Sequence, residues 1–133
     1  SMLSEEKIGR VGTLKSEKRL EEFLQDVIQS LSCQGLRYRS GGKPVRRVAV
    51  GGGACAEYIE NAVALGCDTF VTADLKYHEF LDAEGINLID AGHFETENPV
   101  CEAVKDYLAQ RFPQLELVLS TSHQKSVIEY YIR

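Results

Sequence analysis

From Val45 onward the chain alternates between two hydrophobic periods, and that alternation limits the fold more than any other feature. "VRRVAV" (45–50) reads as a buried strand, followed by "GGGA" and a helical stretch over about 54–65 that Gly66 ends. "DTFVTA" (68–73) is the next strand, "KYHEFLDAEG" (76–85) a short helix closed by Gly85, and "INLID" (86–90) a further strand. "NPVCEAVKDYLAQRF" (98–112) predicts a helix with Pro99 in its first turn and Val100, Val104, Tyr107 and Leu108 along one face. "LELVLS" (115–120) and "SVIEYYIR" (126–133) read as two closing strands. Strands that alternate with helices predict an α/β fold: a three-layer lobe with a mostly parallel sheet and helices on both faces.

Upstream, Leu20, Phe23, Leu24, Val27, Ile28 and Leu31 recur at helical spacing, which predicts a helix over about 16–32. "GLRYRS" (35–40) alternates as a short edge strand before the turn "GGKP". Residues 3–14 are polar with two glycines and read as a connecting segment. The domain reading is therefore a linker at 1–15 and an α/β lobe at 16–133.

The bulk numbers exclude some functions. A net charge of −5 argues against a nucleic-acid surface. The basic residues Arg37, Arg39, Lys43, Arg46 and Arg47 read as a solvated face beside a turn. The apolar runs fall far short of a membrane span. Four cysteines, none in a CxxC pair, fit free thiols in a cytoplasmic protein better than a disulfide framework or a zinc–thiolate site.

In parallel sheets functional groups collect at the carboxyl ends of the strands, which here means three loops: 51–54, 73–76 and 91–97. Gly51, Gly52 and Gly53 permit a sharp turn or a close approach by a neighbour. An anion site at the following helix is the other reading, although GxGxxG and P-loop spacings are both lacking. Asp74 is a candidate metal ligand, proton acceptor or helix N-cap, the N-cap being the default. His78 is either a surface residue of the next helix or part of a site formed where the loops converge. His93 and Glu97 stand four residues apart, a spacing that brings an imidazole nitrogen and a carboxylate oxygen to one ion, with Asp90 in support behind them. The same pair without a metal is a histidine held by a capping carboxylate, with Thr96 or Asn98 capping the helix. His123 reads as a surface-loop residue.

The blocks "RRVAVGGGACAEYIENAVALGCDTFVTADLKYHEF" and "NLIDAGHFETENP" resemble, in order and spacing, the C-terminal half of the Nif-three-like family. That family is also described as GTP cyclohydrolase type 2-like or as dinuclear metal-centre proteins. "IGRVGTL" (8–14) resembles the segment leaving the family's N-terminal half. The resemblance implies two related α/β lobes with two divalent metal ions between them, of zinc, iron or manganese. It assigns His93 and Glu97 as metal ligands and gives weaker support to a site role for Asp74 and His78. The remaining ligands, an adjacent histidine pair and an aspartate, would come from an N-terminal lobe, and this sequence has no His-His pair. It further implies a homo-oligomer, a hexamer in the complete protein, and a metal-dependent hydrolase acting on a nucleotide-like substrate. A non-catalytic metal-binding or protein-interaction scaffold is the alternative, and a nucleotide-binding module built on the glycine loop is a third.

Overall fold

The computed structural model describes residues 9–118 and 125–132. Five strands form one sheet: β1 (Arg10–Lys18), β2 (Arg37–Arg39), β3 (Val45–Ala54), β4 (Thr69–Ala73) and β5 (Asn87–Asp90), in the order β1-β3-β4-β5-β2. β3, β4 and β5 are parallel, while β1 runs antiparallel to β3 and β2 antiparallel to β5. The sheet is therefore mixed, with a parallel centre and antiparallel edges.

The central strands are buried because both of their faces are covered. All of β4, "TFVTA", and all of β5, "NLID", are buried. Successive residues point to opposite faces, so Phe70 and Leu88 enter one cluster and Val71 and Ile89 the other. The helix α1 (Leu20–Leu31) buries Leu20, Leu24 and Val27 on the second face, against Val45, Val48 and Val71. A 3₁₀ turn (Ala56–Tyr58), α2 (Ile59–Ala64) and α3 (Tyr77–Asp82) lie on the first face, where Ala62 and Phe80 meet that cluster. Helices on both faces of one sheet give the three-layer α/β architecture that the alternation implies. Two further helices follow β5: α4 (His93–Glu97) and α5 (Pro99–Arg111).

Several local expectations are corrected. Residues 10–18 form β1 rather than a linker, and α1 begins at Leu20 rather than near position 16. β1 is held by pairing with β3, from Arg10 opposite Val50 to Thr13 opposite Arg47, and it carries little apolar pattern of its own. The glycines 51–53 continue β3 rather than forming a loop, and the register against β4 shifts between Val50 and Ala54. His93 opens α4, where a loop was expected. The segments 115–118 and 126–132 contain no strand. The rest of the two expected closing strands, and His123, lie outside the described residues. α5 forms as expected, but Val100, Val104 and Tyr107 on its apolar face remain at least half exposed.

Candidate metal centre

The site is built where β3, β4 and β5 end. Asp74 follows β4 in a left-handed conformation, φ 53°, which few residues other than glycine, asparagine and aspartate adopt. His93 follows β5 as the first residue of α4, with Gly92 before it at φ 97°. Glu97 is one helical turn further on.

These three side chains meet. His93 Nδ1 lies 2.5 Å from Asp74 Oδ2, and His93 Nε2 lies 2.5 Å from Glu97 Oε1. Each of the three is about half exposed, so the imidazole is gripped on both nitrogens but stays open to solvent. The Asp74 hydrogen bond, aided by the Glu97 charge, holds the His93 pKa above the ordinary histidine value, against the opposing effect of partial burial. A carboxylate on Nδ1 orients the ring and leaves Nε2 as the nitrogen facing Glu97, the arrangement a ligating histidine uses.

The glycines of β3 explain how α4 comes so close. A Cβ at Gly53 would stand 2.9 Å from Glu97 Oε2 and 3.2 Å from His93 Cε1, and φ at Gly53 is +72°. Its N–H donates to Thr96 Oγ1 at 2.9 Å, and its carbonyl accepts the Thr72 hydroxyl at 2.9 Å. The glycine run therefore serves close packing, and this N–H is spent on Thr96. Beside the cluster lies an open groove of about 910 Å³ lined by Gly52, His93, Glu97, Val100, Val127 and Ile128, among others.

The structure sorts the candidate residues. It brings together Asp74, His93 and Glu97. Asp74 is not an N-cap: Lys76 holds the N-cap position of α3, and its N–H donates to the Glu79 carboxylate at 2.7 Å. His78 sits exposed in the first turn of α3 and makes no hydrogen bond or ion pair with the three. Asp90 is buried and bonds to the Leu75 and Gly92 N–H groups and to Arg37 rather than to His93. Thr96 holds Gly53, and Asn98 makes no side-chain cap. Sequence reasoning missed Arg37, whose guanidinium reaches the Leu75 carbonyl at 2.8 Å and the Asp90 carboxylate. Its place in a basic cluster disguised it, since nothing local marks an arginine that spans from an edge strand. Among the described residues no group of three or more His, Cys, Asp or Glu side chains converges as a metal cage. The donor set that does fit an ion is His93 Nε2 with Glu97, nitrogen and oxygen together, which suits zinc, iron or manganese better than calcium.

Fold and site together define an α/β domain with a histidine–carboxylate cluster at the carboxyl ends of its parallel strands. The Duf34/NIF3 (NGG1p interacting factor 3) family matches residues 1–126, and the chain belongs to that family. It is 34% identical over 108 residues to a GTP cyclohydrolase 1 type 2 homolog of Staphylococcus aureus, covering 79% of this chain and 29% of that protein. The Bacillus subtilis homolog of that name is 42% identical over 94 residues, covering 68% and 25%. A crystal structure of a Staphylococcus aureus hypothetical protein superposes with a TM-score of 0.85 at 30% identity, over 92% of this chain and 43% of that one. A Bacillus cereus protein related to NIF3 gives 0.73 at 32% identity, over 92% and 36%. The chain thus spans less than half the length of these relatives. No helix among the described residues is long and apolar enough to cross a membrane.

Proposed function

We propose that this chain is the part of a dinuclear metal-dependent hydrolase that supplies His93 and Glu97 as ligands, with Asp74 orienting His93. The observation carrying this reading is the imidazole fixed at Nδ1 by Asp74, with its Nε2 beside Glu97. The remaining ligands come from residues outside this chain, in an N-terminal lobe. Two divalent ions of zinc, iron or manganese, when bound, supply an activated water and polarise a substrate oxygen. The protein's own groups hold, orient and enclose: Asp74 fixes the ring, Glu97 offers the oxygen donor, and the groove beside them receives substrate. A nucleotide-like substrate is the reading that the relatives' name, GTP cyclohydrolase 1 type 2 homolog, supports. A cytoplasmic home accords with four free cysteines, and a homo-oligomer would cover the exposed face of α5.

A non-catalytic scaffold is the second reading, favoured by the exposed Val100, Val104 and Tyr107 on α5. Metal analysis and hydrolysis of a nucleotide panel by the full-length protein separate the two. Metal content and turnover that both fall in His93→Ala and Glu97→Ala support the enzyme. Metal retained in both variants removes the ligand assignment, and metal without turnover on any nucleotide favours the scaffold.

A further inference from the structure

One buried carboxylate ties together the two loops whose side chains meet at the centre. Asp90, the last residue of β5, is 7% exposed. Its Oδ1 accepts the Gly92 N–H at 3.0 Å, and its Oδ2 accepts the Leu75 N–H at 3.0 Å. Gly92 immediately precedes His93, and Leu75 immediately follows Asp74. The loop after β4 and the loop after β5 are thus anchored to the same side chain. A second contact locks the first: the Arg37 guanidinium donates to Asp90 Oδ2 and, at 2.8 Å, to the Leu75 carbonyl. Arg37 is itself steadied by the Phe80 ring, with its guanidinium carbon 5.4 Å from the centroid. Leu75 is therefore gripped at both its N–H and its carbonyl, one residue after an aspartate with φ 53°. A backbone conformation that costs energy persists when its surroundings over-determine it, and Asp90 with Arg37 supplies that constraint.

We propose that Asp90, braced by Arg37, is a positioning residue of the His93 centre, fixing Asp74 against Nδ1 and so aiming Nε2 at Glu97. Asp90 acts only through Asp74 and the loop carrying His93. Its metal consequence rests on the reading of His93 as a ligand, whereas the brace itself does not.

Asp90→Asn tests this, because it keeps the side chain's size but sets an amide N–H against one of the two backbone N–H groups. The measurement is the ¹⁵N shifts of the His93 imidazole in the 133-residue chain, without metal and then along a zinc titration. In the metal-free chain, Asp90→Asn moves the His93 shifts towards those of Asp74→Asn. Arg37→Gln moves them the same way by less, and adding Asp90→Asn to Asp74→Asn produces no further change. Zinc binding read on the same resonances weakens by roughly 10- to 100-fold in Asp90→Asn and in Asp74→Asn. A purely structural role for Asp90 would lower the melting temperature and leave the His93 shifts in place, and that result overturns the proposal. Should Asp90→Asn fail to fold, Arg37→Gln decides, since Arg37 is largely exposed; unmoved His93 shifts in that variant overturn it equally. If zinc leaves the wild-type His93 resonances unmoved, the ligand reading fails, and the metal-free shifts still decide the brace.

Discussion

His93 lies where a side chain at Gly53 would reach, yet the two residues should respond oppositely to substitution. The His93 side chain is 47% exposed and sits at the open end of the sheet. Removing it takes no atoms from the core, so His93→Ala should change the stability of the chain by under about 1 kcal/mol. Gly53→Ala adds a single methyl and should do more harm. Its Cβ would meet Glu97 Oε2 at 2.9 Å, and its φ of +72° is strained for any residue with a side chain. A destabilisation of roughly 1–3 kcal/mol is expected, together with displacement of Glu97. Thermal melts of the two variants check the order. A His93→Ala chain less stable than Gly53→Ala would show that His93 is a structural residue. The cysteines divide in the same way by burial. Burial, with a smaller push from the Glu95 charge, raises the Cys33 thiol to about 11 from the ordinary 9.0. Cys55 and Cys67 are also raised, mainly by burial. The folded state thus holds on to protons that the unfolded chain releases. Stability from this source is complete below pH 9.0 and is lost as pH rises towards 11. Denaturant unfolding across that range should show a decline that Cys33→Ala makes shallower. At neutral pH an alkylating reagent should label Cys101, the exposed thiol, well before the other three; equal labelling of all four would contradict the buried placement.

At the scale of elements, α5 is well formed but poorly covered. Val100, Val104 and Tyr107 are 59%, 50% and 55% exposed, along a helix that packs chiefly on α4. An apolar stripe in water favours association. Replacing Val104 and Tyr107 with serine should reduce self-association in sedimentation experiments without lowering the melting temperature; a strict monomer at high concentration before mutation would refute this. The legibility of each element follows from where its stabilisation originates. α1, β3, β4 and β5 were readable because their own apolar patterns face the core, period 3.6 in one and near-continuous runs in the others. β1 was not readable, because "RVGTLKSEK" becomes a strand chiefly through the backbone of β3, with only Val11 and Leu14 packed against the core clusters. The glycine run misled for a related reason. Glycines usually mark a turn, but these keep to the strand and admit α4 at close range. His93 and Glu97 were legible from a four-residue spacing, since one helical turn sets that distance. The Asp74 contact and the Arg37 brace join residues 19 and 53 positions apart, and no local pattern encodes such a meeting.

At the scale of the molecule, the number of donors decides how strongly metal is held. On the proposed ligand reading, His93 and Glu97 would give an ion one nitrogen and one oxygen, while Asp74 is occupied with Nδ1. A tight zinc site needs three or four protein ligands, and an ion with two stays mostly hydrated. The cluster is also half exposed, so water competes for every coordination position. Preorganisation works the other way. Asp74 already fixes the ring and Glu97 already faces Nε2, so little conformational freedom remains to be lost on binding. On that reading the balance falls on the side of weak binding by this chain and stronger binding where further donors face it. Calorimetric titration with zinc or manganese should therefore give an affinity far below that of a full-length family member carrying the same two residues. Glu97→Gln should weaken both, because the amide keeps the shape of the side chain but removes its charge. Tight stoichiometric binding by this chain would mean that two copies pool their ligands, and the stoichiometry, one ion per chain or one per pair, would tell which groups had been joined.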